Sequence, residues 1–197
     1  MVERRSVLKF GAASVAGALV NVPIRAFGAM PAGSHGSLDR AIFDERFDEA
    51  LAFAGEMNRR GVITSGIRGD VAKLWYEDLQ ARLRQDPRPI AGLTDRVTLF
   101  CLEELARDVG MKVFFRVDHM VDQSGHVRHE AAGPAPVVEA TRTLGAGSGF
   151  GLTAFGQTMA ILACRCEVSG PGYIAAQKRT GPFSPENKIA LVSWVMA

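Results

Sequence analysis

The chain reads as an α/β protein, a mainly parallel sheet with flanking helices and an irregular, β-rich second half; α+β is the alternative. Three observations predict this. Short β-branched or apolar runs alternate with amphipathic stretches three times between residues 40 and 121. Each amphipathic stretch stops at a glycine or before a proline. The 197 residues are 47% hydrophobic and 22% charged, an ordinary globular balance that excludes disordered, collagen-like and disulfide-dense scaffolds.

The elements follow in order. Residues 40–43 form a strand that runs into Asp44, Glu45 and Arg46. Over 47–60 the apolar positions Phe47, Leu51, Ala54 and Met57 recur at helical spacing, and Gly61 supplies the stop. Residues 62–67 are short and β-branched, a second strand. Asp70 caps a helix whose stripe is Val71, Leu74, Trp75, Leu79 and Leu83, closed by Pro87. Residues 90–93 make a third strand. Thr94 caps a helix lined by Val97, Cys101, Leu105 and Val109, ending at Gly110. Residues 112–121 are a clear strand, and 126–131 can pair back on it as a hairpin. Beyond 133 the signals weaken: residues 144–156 hold five glycines, while 159–168 and 188–196 are apolar enough for strands without excluding helix.

Residues 1–28 have the layout of a leader. Arg4, Arg5 and Lys9 precede an apolar run over 10–20, and Pro23 and Arg25 close it before Ala26-Phe27-Gly28, a small-residue cleavage pattern near Gly28. Eleven residues rise roughly 16 Å as a helix, half the thickness of a bilayer core, so no stable membrane span is expected. Residues 29–37 are small and polar and read as a flexible linker, leaving 38–197 as a single domain. The leader carries a net +3 of the chain's +2, so the remainder is −1 and carries no nucleic-acid footprint.

Arg4-Arg5 followed by Val7-Leu8-Lys9 resembles the twin-arginine (Tat) signal, with Glu3 and Val7 departing from its usual hydroxyl residue and phenylalanine. An ordinary secretory signal is the alternative. The resemblance implies the Tat translocase as a partner, folding before export and a periplasmic location. The stretch from Ile67-Arg68-Gly69-Asp70 through Leu74-Trp75-Tyr76 to residues 90–94 is similar to Tat-exported bacterial proteins, which implies export and attaches no activity.

Candidate chemistry gathers where parallel strands end, because open α/β sheets bind ligands beyond their carboxyl edge. There His119 is the expected proton carrier, Asp44 or Asp70 its orienting carboxylate, and Arg46, Arg68 and Thr94 the substrate contacts. The plain alternative makes Asp70 and Thr94 helix caps and the arginines surface pairs. His119, His126 and His129 do not make a metal site on an unbroken strand, since positions three apart face opposite ways. A four-residue turn at 122–125 places His119 opposite Arg128; a two-residue turn places it opposite Glu130.

Cys101 falls on an apolar stripe and is expected to be buried, and Cys164 and Cys166 share a face if their segment is a strand. Residues 145–151 fail the G-x-G-x-x-G pattern, and Gln157 stands where a P-loop needs lysine. No motif specifies a cofactor. The leading expectation is therefore an accessory subunit or maturation partner of a larger exported oxidoreductase. The alternatives are a small enzyme for a polar or anionic molecule at the strand ends, and a binding protein using that same edge without chemistry.

Overall fold

The computed structural model describes residues 38–121, 127–141, 152–164, 173–174 and 189–197. The leader and linker, most of the glycine stretch, His126 and Cys166 lie outside the described residues. β1 (Arg40–Asp44), α1 (Asp48–Arg59) and β2 (Ile63–Ile67) form the first strand–helix–strand unit. α2 (Ala72–Leu74) runs through a π turn (Trp75–Leu79) into α3 (Gln80–Gln85), and β3 (Ile90–Asp95) follows. α4 (Arg96–Ala106) ends in a 3-10 turn (Arg107–Val109) before the hairpin β4 (Val113–Val121) and β5 (Val127–Pro134). Then come α5 (Ala135–Ala140), α6 (Leu152–Cys164), β6 (Tyr173–Ile174) and β7 (Ile189–Met196).

These strands form one sheet in the order β2-β1-β3-β7-β4-β5-β6. β1 lies parallel to both β2 and β3. Every other neighbouring pair among the described residues is antiparallel. The sheet is therefore mixed, and the mainly parallel sheet expected from three strand–helix units is corrected. The cause is β7, which enters between β3 and β4 and runs against both; no local pattern in the first 121 residues announces it. In the second half, where the apolar run from 159 left strand and helix open, Leu152–Cys164 is α-helical.

Strand residues alternate between two cores, as the period of a pleated strand requires. On one face Ala41, Leu93, Val117, Leu191 and Val195 pack against Phe53 and Met57 of α1 and Met159 and Ala160 of α6. On the other Ile42, Ile90, Val192 and Trp194 pack against Trp75, Leu79 and Leu83 and against Leu99 and Leu102 of α4. Gly92 makes room for Trp194: a Cβ there would lie 2.3 Å from the indole Cζ2 and 2.8 Å from the Ile42 carbonyl. The stripe Val71-Trp75-Leu79-Leu83 repeats every four residues and is buried throughout. On an ideal helix three steps of four drift by about 120° around the axis. The π turn, with its wider hydrogen-bonded ring, absorbs the extra residue and keeps the stripe on the sheet.

α4 is rotated from its expected setting. Thr98, Leu99, Leu102 and Ala106 are its buried face, while Val97 and Cys101 are exposed. Of the expected stripe only Leu105 and Val109 pack, partly buried, against the core, because apolar residues lie on more than one side of this helix and its cap decides which side turns inward. That cap is Asp95, whose Oδ1 accepts the Thr98 N–H at 2.7 Å; Thr94, one residue earlier, is still in the strand. No helix among the described residues is long and apolar enough to cross a membrane.

Candidate functional site

β1 and β3 are neighbours whose following helices lie on opposite faces of the sheet, α1 with the first core and α4 with the second. Their carboxyl ends therefore form a topological switch point, the place where a crevice opens in such sheets. Asp44 and Asp95 end these two strands, and Arg46 spans them. Its Nε lies 2.8 Å from Asp44 Oδ1, and its Nη2 lies 2.5 Å from both Asp44 Oδ2 and Asp95 Oδ2.

Asp44 is fully buried while 45% of the Arg46 side chain remains exposed. The hydrogen bond to Asp44, with support from Asp95, raises the guanidinium pKa above its ordinary value despite partial burial. Burial works to raise the Asp95 carboxyl, but the Thr98 contacts and Arg46 overcome it and hold the group below its usual range. The Phe47 ring lies 5.4 Å from the guanidinium carbon. Gly69, at φ +84°, packs so closely that a Cβ would meet Arg46 Nη2 at 2.9 Å.

The other expected residues are distributed as follows. Thr94 is buried, and its hydroxyl accepts the Trp194 Nε1–H at 3.1 Å. Arg68 reaches outward to Glu45 with 80% of its side chain in water. Asp70 is exposed and accepts the Ala72 N–H at 2.8 Å, a local turn contact one residue ahead of Val71, which holds the N-cap position of α2. Asp118 is held by Arg96 and Arg116 at 2.9 and 2.8 Å. The structure thus brings Asp44, Arg46 and Thr94 to one edge with Asp95, a residue the sequence reading passed over in favour of its neighbour.

It does not bring His119 there. β4 stands three strands from β1, roughly 14 Å at about 4.8 Å per step. His119 also faces the α1/α6 side, whereas Asp44 faces the α4 side, by alternation from Val117 and Ile42. Its partners are different ones. The β4–β5 register sets His119 opposite His129, between the two registers expected, because pairing closes at Val121 with Val127. The Nδ1 atoms of the two rings are 2.8 Å apart, and His119 Nε2 lies 2.7 Å from Ser193 Oγ of β7. A serine 74 residues away gives no local signal; only the placement of β7 supplies it.

The chain matches no protein-family model, no curated protein and no solved structure. Arg46→Ala is expected to cost about 2 kcal/mol, because it strands the buried Asp44 carboxylate. That is less than a fully buried pair would lose, since water already reaches half of Arg46. Arg68→Ala, which breaks an exposed pair, is expected to stay within about 0.5 kcal/mol. Urea unfolding of the two variants side by side checks the difference; equal losses would show that Arg46 anchors nothing.

Proposed function

We propose that the chain is an accessory or maturation partner of a larger exported oxidoreductase, sent to the periplasm by the Tat route. The observation that carries this reading is the outer face of α4. Val97 and Phe100 stand one turn apart and are 67% and 60% exposed. Burying two such side chains is worth roughly 1.5–3 kcal/mol each, a gain that folding leaves uncollected and a partner surface can take. Tyr76, 63% exposed, sits on the other helix that covers the same face of the sheet.

The charged groups at the strand ends support the same reading. Arg46, Arg68 and Arg96 are each tied to a carboxylate. The proton carrier expected beside them lies on the far side of the sheet. The test uses the full chain with its own leader, recovered from periplasmic extract and weighed by native mass spectrometry. Wild type is expected in complex with an oxidoreductase, and Val97→Glu/Phe100→Glu is expected to be released from it with an unchanged melting temperature. A leaderless monomer without any partner, or a product retained in the cytosol with its leader uncut, would overturn the proposal.

The switch point favours a second reading, a small-molecule-binding protein without chemistry. Two carboxylates face one guanidinium there, so the crevice suits a polar molecule bearing hydroxyl or amino groups better than a second anion. A ligand of this kind that raises the melting temperature of wild type and not of Arg46→Ala would support it.

A further inference from the structure

Three polar side chains lie inside the apolar core that packs under α1 and α6, on the neighbouring strands β7, β4 and β5. Ser193 and His119 are each 3% exposed and His129 is 8% exposed. Leu93 stands opposite Ser193 on β3 and Val117 opposite it on β4, and Leu191 flanks it two residues earlier on its own strand. Nothing in the switch-point crevice uses these three groups.

The contact between the two Nδ1 atoms needs one N–H and one lone pair, as does the contact between Ser193 Oγ and His119 Nε2. Two arrangements satisfy both contacts, in opposite directions, and the one that prepares the serine has the His119 proton on Nδ1. With its proton on Nδ1, His119 donates to His129 Nδ1 and leaves its Nε2 lone pair to accept the Ser193 hydroxyl proton. The rings meet edge to face, 75° between planes with centroids 5.0 Å apart, so one nitrogen of His129 is aimed at the edge of its neighbour. A hydroxyl within hydrogen-bond reach of a base, with that base oriented by a third group, is the arrangement that activates a serine.

We propose that Ser193 is a nucleophile for acyl transfer from small aliphatic carboxylic esters, with His119 as its general base and His129 as the positioning residue. Ser193 Oγ attacks the ester carbonyl carbon while its proton passes to His119 Nε2. The bond to the leaving alkoxide breaks, and the alkoxide takes that proton and departs as the alcohol. Water then attacks the acyl-serine, giving its proton to His119, and the carboxylic acid leaves as Ser193 regains its own. The surrounding Leu93, Val117 and Leu191 select an apolar acyl chain. His119 lies two residues from the end of β4, level with Asp95, so the base stands close to the strand ends, and Ser193 lies two residues further in, level with Leu93 and Val117. Burial pushes both imidazoles below their ordinary pKa, with the His129 charge adding to the effect on His119, which keeps the base unprotonated at neutral pH. This inference does not depend on the accessory role.

The test is labelling of the folded full chain with diisopropyl fluorophosphate, read by intact mass and peptide mapping, alongside hydrolysis of p-nitrophenyl acetate. One adduct per chain is expected on Ser193, lost in Ser193→Ala and lost when the chain is unfolded in urea before labelling. His119→Gln is expected to slow labelling by about 10²–10⁴-fold, the usual worth of a general base. His129→Phe is expected to lower kcat with KM unchanged, and His129→Asn, which returns an acceptor oxygen near the Nδ1 position, to restore part of it. A folded wild type that takes no label on Ser193, or labels equally fast without His119, would overturn the proposal and leave the trio as core hydrogen bonding alone.

Discussion

Lowering the pH from 7 to 4.5 is expected to strip about 3 kcal/mol or more from the stability of this fold. The source is the buried histidine pair. An unfolded histidine takes up its proton near pH 6.5. In the folded chain burial drives His129 down to about 4, and drives His119 well below its ordinary value. Below pH 6.5 the unfolded chain therefore binds protons that the folded chain refuses. Each histidine then removes up to about 1.4 kcal/mol per pH unit. For His129 the loss continues to about pH 4, where the folded ring protonates as well.

Glu49, raised by burial, works the other way over a narrow range, while Glu56, lowered chiefly by Arg59, adds to the loss at the acid end. Urea unfolding at pH 7, 5.5 and 4.5 reads the slope directly. His129→Phe is expected to flatten it by about one proton. A stability that stays level between pH 7 and 5 would mean that the pair is not held neutral.

Gly156→Ala is expected to destabilise the chain by about 3 kcal/mol, lowering Tm by about 6–12 °C. Alanine is the better helix former by about 1 kcal/mol, so propensity alone predicts the opposite sign. Contact geometry wins because the added Cβ would lie 2.1 Å from the Glu49 carbonyl oxygen and 2.7 Å from the Phe53 nitrogen. Both are backbone atoms of α1 and neither can swing aside, so the two helices must separate. Gly55 on α1 is the control: a Cβ there meets nothing within 4 Å, and Gly55→Ala is expected to be neutral or slightly stabilising. Melting curves of the two variants decide it. If Gly156→Ala melts no lower than Gly55→Ala, α6 does not dock on α1 through this residue.

Gly156 also shows what a sequence conceals. Five glycines within residues 144–156 argue against a helix, and the one that α6 includes is there for close approach to another backbone. The elements of the first half were legible because their signals are local. Val71, Trp75, Leu79 and Leu83 are all buried, as their apolar pattern predicts, and Gly61 and Gly110 end helical segments at φ +78° and +79°. α4 was misread at its face, since Val97, Leu99, Phe100 and Leu102 offer two competing stripes and the choice falls to Asp95.

The candidate residues divide along the same line. Asp44, Arg46 and Thr94 follow one another off adjacent strand ends, so reading the strands was enough to place them together. His119 was placed at the correct height and on the wrong face. Its true neighbours depend on a hairpin register set by one residue of turn length, and on Ser193, which arrives from 74 residues away.

The strand that supplies Ser193 has a consequence for how the molecule is made. β7 leaves the ribosome after every other described strand, yet it occupies the middle of the sheet and zips β3 to β4. Until it emerges, the β1–β2–β3 half and the β4–β5 hairpin have open inner edges facing each other, and the sheet cannot close. Joining of the two parts of the sheet therefore waits on this one strand, and a chain lacking residues 189–196 would leave them unjoined and open to proteolysis.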